Sequence, residues 1–350
     1  MKKAVLRTMF ALVAVAVVAV GCAPPEITSA KIYINNQDYV NARASLEKAI
    51  QTYPDNAEAY KLLGDVDIIE RKWELAAQHY GSAAELSPSY RQQVERILQS
   101  QWVSKFNNSV ALMNRGDLDQ AYSELEICTT LMPERVPGWM NRAAIHGQRG
   151  EIDQAMEMYG KVLELEPEHE VARKNMAFLH FNQQHYQETI DYLEPMRQTL
   201  LETDPRGVNT LAVSYLQTDQ RPKAIELLEQ ALEHDPDNVE NVWNMASLYY
   251  QEGQPEKAFP YWIRSTELNP FNAQAFSLVA FQYIQQEELD KALPYLEKAV
   301  ELDPNDADSW ELLGIYWVRK GEPEKGRAYI ERAEQIRAAL GGEEPPPTAR

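Results

Sequence analysis

Apolar residues along this chain recur at helical spacing. Phe276, Val279, Ala280 and Tyr283 fall at i, i+3, i+4 and i+7, the stripe of one amphipathic helix, and Ala292, Leu296 and Ala299 form a second stripe shortly after it. The small alanines allow two helices to approach closely, while Phe276 and Tyr283 fill the space between them. Between stripes comes polar punctuation such as Glu301-Leu302-Asp303-Pro304-Asn305-Asp306. Proline disfavours helix at the residue before it, and Asp or Asn caps the helix that follows. The pattern predicts short helices alternating with turns.

The pattern has a long period. Pro54 and Pro88 are 34 residues apart, as are Pro133 and Pro167, and Pro236, Pro270 and Pro304 keep the same step. Alanines interlock with them at that interval: Ala42 with Ala76, Ala121 with Ala155, and Ala224 with Ala258 and Ala292. Self-similarity at a fixed spacing of this size is the signature of a repeat architecture.

The residues within each period resemble the tetratricopeptide repeat. Its pattern of a large apolar residue, Leu-Gly, alanine, an aromatic, alanine and proline occurs here as Tyr60, Leu63-Gly64, Ala76, Tyr80, Ala83 and Pro88, and again as Trp310, Leu313-Gly314 and Trp317. The resemblance implies an all-α, right-handed α-solenoid of about nine antiparallel helix hairpins. Aligned on these positions, the units are 23–56, 57–90, 102–135, 136–169, 170–203, 205–238, 239–272, 273–306 and 307–340. Domain boundaries follow: a leader at 1–22, repeats at 23–90, a helical insertion at 91–101, repeats at 102–340, and a disordered tail at 341–350 after Gly341-Gly342.

Three departures from the pattern carry structural expectations. In the first unit Glu26, Ser29 and Ala30 stand where large residues belong, so its first helix has the weakest signal. Residues 91–101 contain no helix breaker and should lengthen the following helix by about three turns. Unit five has Thr189 where alanine is usual and carries Pro195 inside its second helix, which predicts a kink or a shortened helix.

The first residues have a different character. Lys2, Lys3 and Arg7 precede an apolar run from Met9 to Val20, short for a membrane span and suited to a signal sequence. The run ends Ala19-Val20-Gly21-Cys22, which resembles the lipobox of bacterial lipoproteins, with Ala19 where leucine is usual. The resemblance implies acylation of Cys22 as the new N-terminus, hence a palmitate-bearing anchor. Two or more acyl chains at roughly 0.8 kcal/mol per buried methylene hold a protein on a membrane durably. Ala23 follows the cysteine in place of the aspartate that resembles an inner-membrane retention signal, so the expected location is the bacterial cell envelope, lipid-anchored at the outer membrane and facing the periplasm.

Composition narrows the chemistry. The chain has 34 Lys+Arg against 53 Asp+Glu, a net charge of −19, which opposes nucleic acid and anionic lipid headgroups. The second cysteine, Cys128, falls where a small buried side chain is expected and reads as a packed, inert thiol. Six histidines show no metal-ligand spacing; His180 and His185, five apart, do not share a helix face well. No phosphate-cradling glycine run and no nucleophile elbow occurs. Neither catalysis, nor a cofactor, nor a metal is expected.

A binding surface is expected instead. In the tetratricopeptide family the first helices line the concave face, and the sixth position of units three, four, five and seven is asparagine: Asn107, Asn141, Asn175 and Asn244. Unit six has Thr210 there, with Asn209 adjacent. This resembles the asparagine ladder of the O-linked N-acetylglucosamine transferase repeats, where amides grip the backbone of an extended peptide. An amide supplies both donor and acceptor, so it can match a peptide group whatever its sequence. Phe106, Met113, Met140, Phe178, Phe181, Trp243, Tyr250 and Phe281 are expected on the same surface as anchors. The lysine clamp that holds C-terminal carboxylates in some members of the family is matched only by Lys61 and Lys174 in non-adjacent units, so carboxylate capture is not expected. The resulting expectation is a membrane-anchored scaffold or adaptor for envelope proteins or peptides. The alternative is a self-associating oligomer or spacer without a peptide client.

Overall fold

The computed structural model describes residues 24–339; Cys22, the leader and the tail at 341–350 lie outside the described residues. Nineteen α-helices and one short 3-10 turn make up the described chain, with no strand among them. They form two compact units that meet between Pro167 and Glu168.

The first unit contains four hairpins. These are α1 (Pro25–Asn35) with α2 (Tyr39–Thr52), α3 (Ala57–Ile69) with α4 (Trp73–Leu86), α5 (Pro88–Arg115) with α6 (Leu118–Leu131), and α7 (Val136–Gln148) with α8 (Ile152–Leu165). The second unit holds five. Here α9 (Glu170–Asn182) pairs with α10 (Tyr186–Leu193), and a 3-10 turn at Glu194–Met196 leads to α11 (Arg197–Thr203). Then follow α12 (Pro205–Gln217) with α13 (Arg221–His234), α14 (Val239–Gln251) with α15 (Pro255–Leu268), α16 (Ala273–Gln285) with α17 (Leu289–Leu302), and α18 (Ala307–Arg319) with α19 (Pro323–Ala339).

The repeated residues have identifiable jobs. Ala42, Ala76, Ala121, Ala155, Ala224, Ala258 and Ala292 are all fully buried, each where the second helix of a hairpin presses on the first. Six of the seven periodic prolines stand in the turn that ends a repeat; the seventh, Pro88, opens α5. Polar residues before the first helices accept the otherwise unpaired amides of the first turn. Asn56 Oδ1 accepts from Ala59 N at 3.0 Å, Asn238 Oδ1 from Asn241 N at 3.0 Å, and Asn272 Oδ1 from Ala275 N at 3.2 Å.

Each of the nine hairpins turns through one residue in the left-handed region. Gly116, Gly150, Gly253 and Gly321 take four of these positions, and Gln37, Arg71, Gln184, Asp219 and Glu287 take the other five, with φ between 57° and 62°. Close helix contact also constrains Gly64 of the Leu-Gly pair: a Cβ there would lie 2.6 Å from the Tyr80 ring.

The departures resolve as follows. In α1, Ile27 and Ala30 are fully buried against Ala42, Leu46 and Leu63, so a helix with few large residues is held by its neighbours. Residues 91–101 lie inside α5, which runs unbroken for 28 residues. Pro195 sits in the 3-10 turn between α10 and α11, which together replace the usual single second helix. Leu193, Met196 and Leu200 still reach the core from these short pieces.

Among the charged residues of the first unit Asp67 is fully buried, at the centre of a cluster whose other members are partly exposed. Asp67 of α3 receives Arg43 of α2 at 2.5 Å and His79 of α4 at 2.6 Å, and Arg43 also donates to Glu70 at 2.6 Å. Three helices from two successive repeats are thereby joined through one carboxylate. Cys128 is fully buried in α6, and burial pushes its thiol up to about 12, so it stays protonated and unreactive.

Candidate functional site

The first helices of the second unit bring part of the expected surface together. On α9, Phe178 lies beneath the guanidinium of Arg206 from α12, 5.0 Å from the ring centroid. One turn along α12, Asn209 Oδ1 accepts from Asn244 Nδ2 of α14 at 2.5 Å, and Asn209 Nδ2 donates to Glu240 at 3.5 Å. Three successive first helices are thus linked by side chains at the level of the expected ladder. Trp243 is half-buried beside Asn244 and packs on the core, while Tyr250 is 46 % exposed with its ring 5.2 Å from that of Trp262.

Thr210 is not a rung. It is buried, and its hydroxyl donates to the Arg206 carbonyl of its own helix at 2.9 Å, the usual way a helical threonine spends its donor. The amide that meets Asn244 comes from Asn209, one position earlier. Repeat arithmetic selects position 210, yet a one-residue step swings a side chain by about 100° around a helix. The signal in the sequence was the asparagine next to the aligned position.

The remaining expected residues are distributed as follows. Asn175 is half-buried in α9, and Phe281 is half-buried in α16. Phe181 meets the ring of Tyr186 edge-on at 5.7 Å, so it packs within its own hairpin. In the first unit Asn107 is exposed on α5 and Asn141 half-buried on α7; Phe106 stacks on Trp102 at 4.6 Å.

Charges near the face of the second unit are internally balanced. Lys174 donates to Asp204 at 2.8 Å, and Asp204 also caps α12 by accepting from Gly207 N at 3.0 Å. Burial alone would raise the Asp204 carboxyl, but these two hydrogen bonds outweigh it and hold it below the usual carboxylate range. Lys61 of the first unit is likewise paired, with Asp65 at 2.6 Å. Both lysines of the partial clamp are therefore committed to intramolecular carboxylates.

The turn at Gln184 brings His180 of α9 and His185, which precedes α10, to a ring separation of 5.8 Å, closer than their sequence spacing suggests, and His180 stacks on Tyr192 at 5.5 Å. Burial holds His180 below its ordinary pKa. No group of three or more His, Cys, Asp or Glu side chains able to hold a metal occurs among the described residues. Among them, too, no helix is long and apolar enough to cross a membrane.

The hairpin array defines a helical-repeat scaffold of the kind that serves protein–protein interaction. Tetratricopeptide repeat family models match residues 27–91, 136–169, 215–280 and 282–340. The chain belongs to the tetratricopeptide repeat family. Among solved structures, pilF of Pseudomonas aeruginosa is 21% identical, covering 62% of this chain and 98% of its own, with a TM-score of 0.47. MamA from Desulfovibrio magneticus RS-1 is 19% identical, covering 49% of this chain and 97% of its own, with a TM-score of 0.44. No curated protein matches significantly.

Proposed function

We propose that this protein is a lipid-anchored adaptor of the bacterial cell envelope that holds an extended segment of a partner protein along its first helices. The observation that carries the binding part is the Asn209–Asn244 amide pair, with Arg206 over the half-buried Phe178 ring one turn earlier on α12. Paired amides offer donors and acceptors at the spacing of one repeat, and half-buried rings offer anchorage at small entropic cost. The chain carries −19 overall, whereas the charges beside this pair, Lys174, Asp204, Arg206 and Glu240, sum to zero. Such a surface suits a peptide recognised by its backbone and apolar side chains more than by its charge.

The anchoring part rests on Cys22 after its apolar run, with Ala23 behind it favouring the outer membrane. Photo-crosslinking in cells from positions 243 and 178 tests the binding part. One or a few envelope proteins captured at both positions is the expected result. Capture of only a second copy of this chain would replace the adaptor reading with self-association.

A further inference from the structure

Between α6 and α7 the first unit holds a polar network that the first-helix face of the second unit does not use. Tyr122 of α6 is half-buried, and its hydroxyl oxygen lies 2.7 Å from Arg142 Nη2 and 3.2 Å from His146 Nε2. The other ring nitrogen of His146, Nδ1, meets Glu151 Oε2 at 2.5 Å. The imidazole is nearly enclosed, with its side chain only 9 % exposed. Arg149 stands over the same phenol ring, 5.5 Å from its centroid, and is itself held by Asp119 at 2.5 Å.

The protons along these contacts have one consistent arrangement. Glu151 accepts, so in a neutral imidazole the proton sits on Nδ1 and leaves Nε2 as an acceptor. Arg142 has only donors, so the phenol oxygen accepts from it. The single hydroxyl proton of Tyr122 therefore goes to His146 Nε2. A carboxylate orients an imidazole, and the imidazole draws on the proton of a hydroxyl. A guanidinium meets the negative charge that gathers on the oxygen as that proton leaves. Those are the parts of an activated nucleophile.

Charge around the phenol selects the electrophile. Arg142 and Arg149 are opposed by Glu126, 3.7 Å from Arg142, by Asp119, and by Glu151, 4.0 Å from Arg149. Carboxylates thus outnumber guanidiniums, which repels an anionic phosphoryl donor and leaves an uncharged activated acyl group unhindered.

We infer that Tyr122 is a nucleophilic tyrosine, an acceptor site for activated acyl groups, with His146 as its base and Glu151 positioning His146. The phenol oxygen bonds to the acyl carbon and the bond from that carbon to its leaving group breaks. The Tyr122 proton passes through His146 Nε2 to the leaving group, and an aryl ester remains on α6. The site stands whether or not the second unit holds a peptide.

The test is limited acetylation of the full-length protein with N-acetylimidazole, whose imidazole leaves with the proton, followed over time by peptide mass spectrometry. Tyr53 and Tyr250, 42 % and 46 % exposed, serve as internal references. Exposure alone would make them react first; Tyr122 should instead react several-fold faster than either. His146→Gln should slow Tyr122 by about tenfold or more while the references keep their rates. Glu151→Gln, at a more exposed position, should slow it several-fold. The direction separates a proton relay from a packing role, because a variant that only loosened the fold would uncover Tyr122 and speed its labelling. Circular dichroism melting accompanies each variant, and Glu151→Gln decides if His146→Gln melts early. Tyr122 reacting no faster than the references would overturn the inference, as would unchanged or faster labelling in the deciding variant.

Discussion

Asp67, without any exposed surface, accepts a 2.6 Å hydrogen bond from His79 Nδ1 on the neighbouring helix. Arg43 completes the pairing from the preceding repeat at 2.5 Å. Burial would raise the Asp67 carboxyl, but the His79 and Arg43 hydrogen bonds prevail and hold it below its ordinary value. A group with a lowered folded pKa contributes stability above its unfolded pKa of about 3.9 and loses it as pH falls through the folded value. Acid melting of the first unit should therefore steepen below about pH 4. Asp67→Asn should cost about 1–3 kcal/mol at neutral pH, since the buried charge-assisted hydrogen bonds are lost while Arg43 keeps Glu70 as a partner, and should flatten that acid limb. Thermal melts at pH 3 to 7 measure both effects.

Contact between Gly64 and Tyr80 leaves no room for a methyl group. Gly64→Ala should destabilise by about 1–3 kcal/mol through overpacking. In urea titrations Gly64→Ala/Tyr80→Leu should fall short of the sum of the two single changes. Full additivity would show that the ring is not what the new methyl meets.

The left-handed turn residues make opposite predictions for two kinds of substitution. Glu287→Gly should stabilise by about 0.5–1 kcal/mol, because glycine adopts this conformation without the Cβ penalty. Gly150→Ala should lose about 1 kcal/mol for the converse reason. Urea midpoints of the two variants should move in opposite directions.

On the first-helix face, Asn209→Ala/Asn244→Ala should weaken a peptide captured there by about tenfold while leaving the melting temperature nearly unchanged. Thr210→Val should leave binding intact, because that hydroxyl already donates to its own helix. Fluorescence anisotropy with a labelled peptide from the crosslinked partner separates the two outcomes.

For the anchor, Cys22→Ser should move the protein from the membrane fraction to the soluble one. Persistence in the membrane fraction would remove the lipid from the proposal.

The repeat frame could be read from the sequence because each hairpin solves one packing problem with one set of residues. Ala76 and Ala258 are chosen by how close two helices must lie, so the same amino acid returns every 34 residues. The Asp67 cluster left no such trace. Arg43 and His79 reach Asp67 across separations of 24 and 12 residues, which belong to no repeat interval and exist only after two hairpins have packed. The Asn209–Asn244 hydrogen bond was hidden for a different reason: alignment by period fixes the repeat but not the azimuth of a side chain to within one residue. His180 and His185 met through the backbone of the turn at Gln184, where φ is 62°. Nothing in glutamine itself announces that conformation.

The unbroken α5 has a consequence for how this chain can change in length. Val94, near its start, packs against Ala76 and Tyr80, and Leu112, near its end, packs against Ala121 and Leu125. The two contact residues are 18 positions apart, about five whole turns, so both point to one side of the same rod. Residues 91–101 themselves fill about three turns. Whatever is added or removed there must come in near-whole turns, about 7, 11 or 18 residues at a time, because a change of two would rotate everything downstream by about 200°. Like a screw thread, the helix admits only certain lengths if the hairpin after it is to keep facing the way it does.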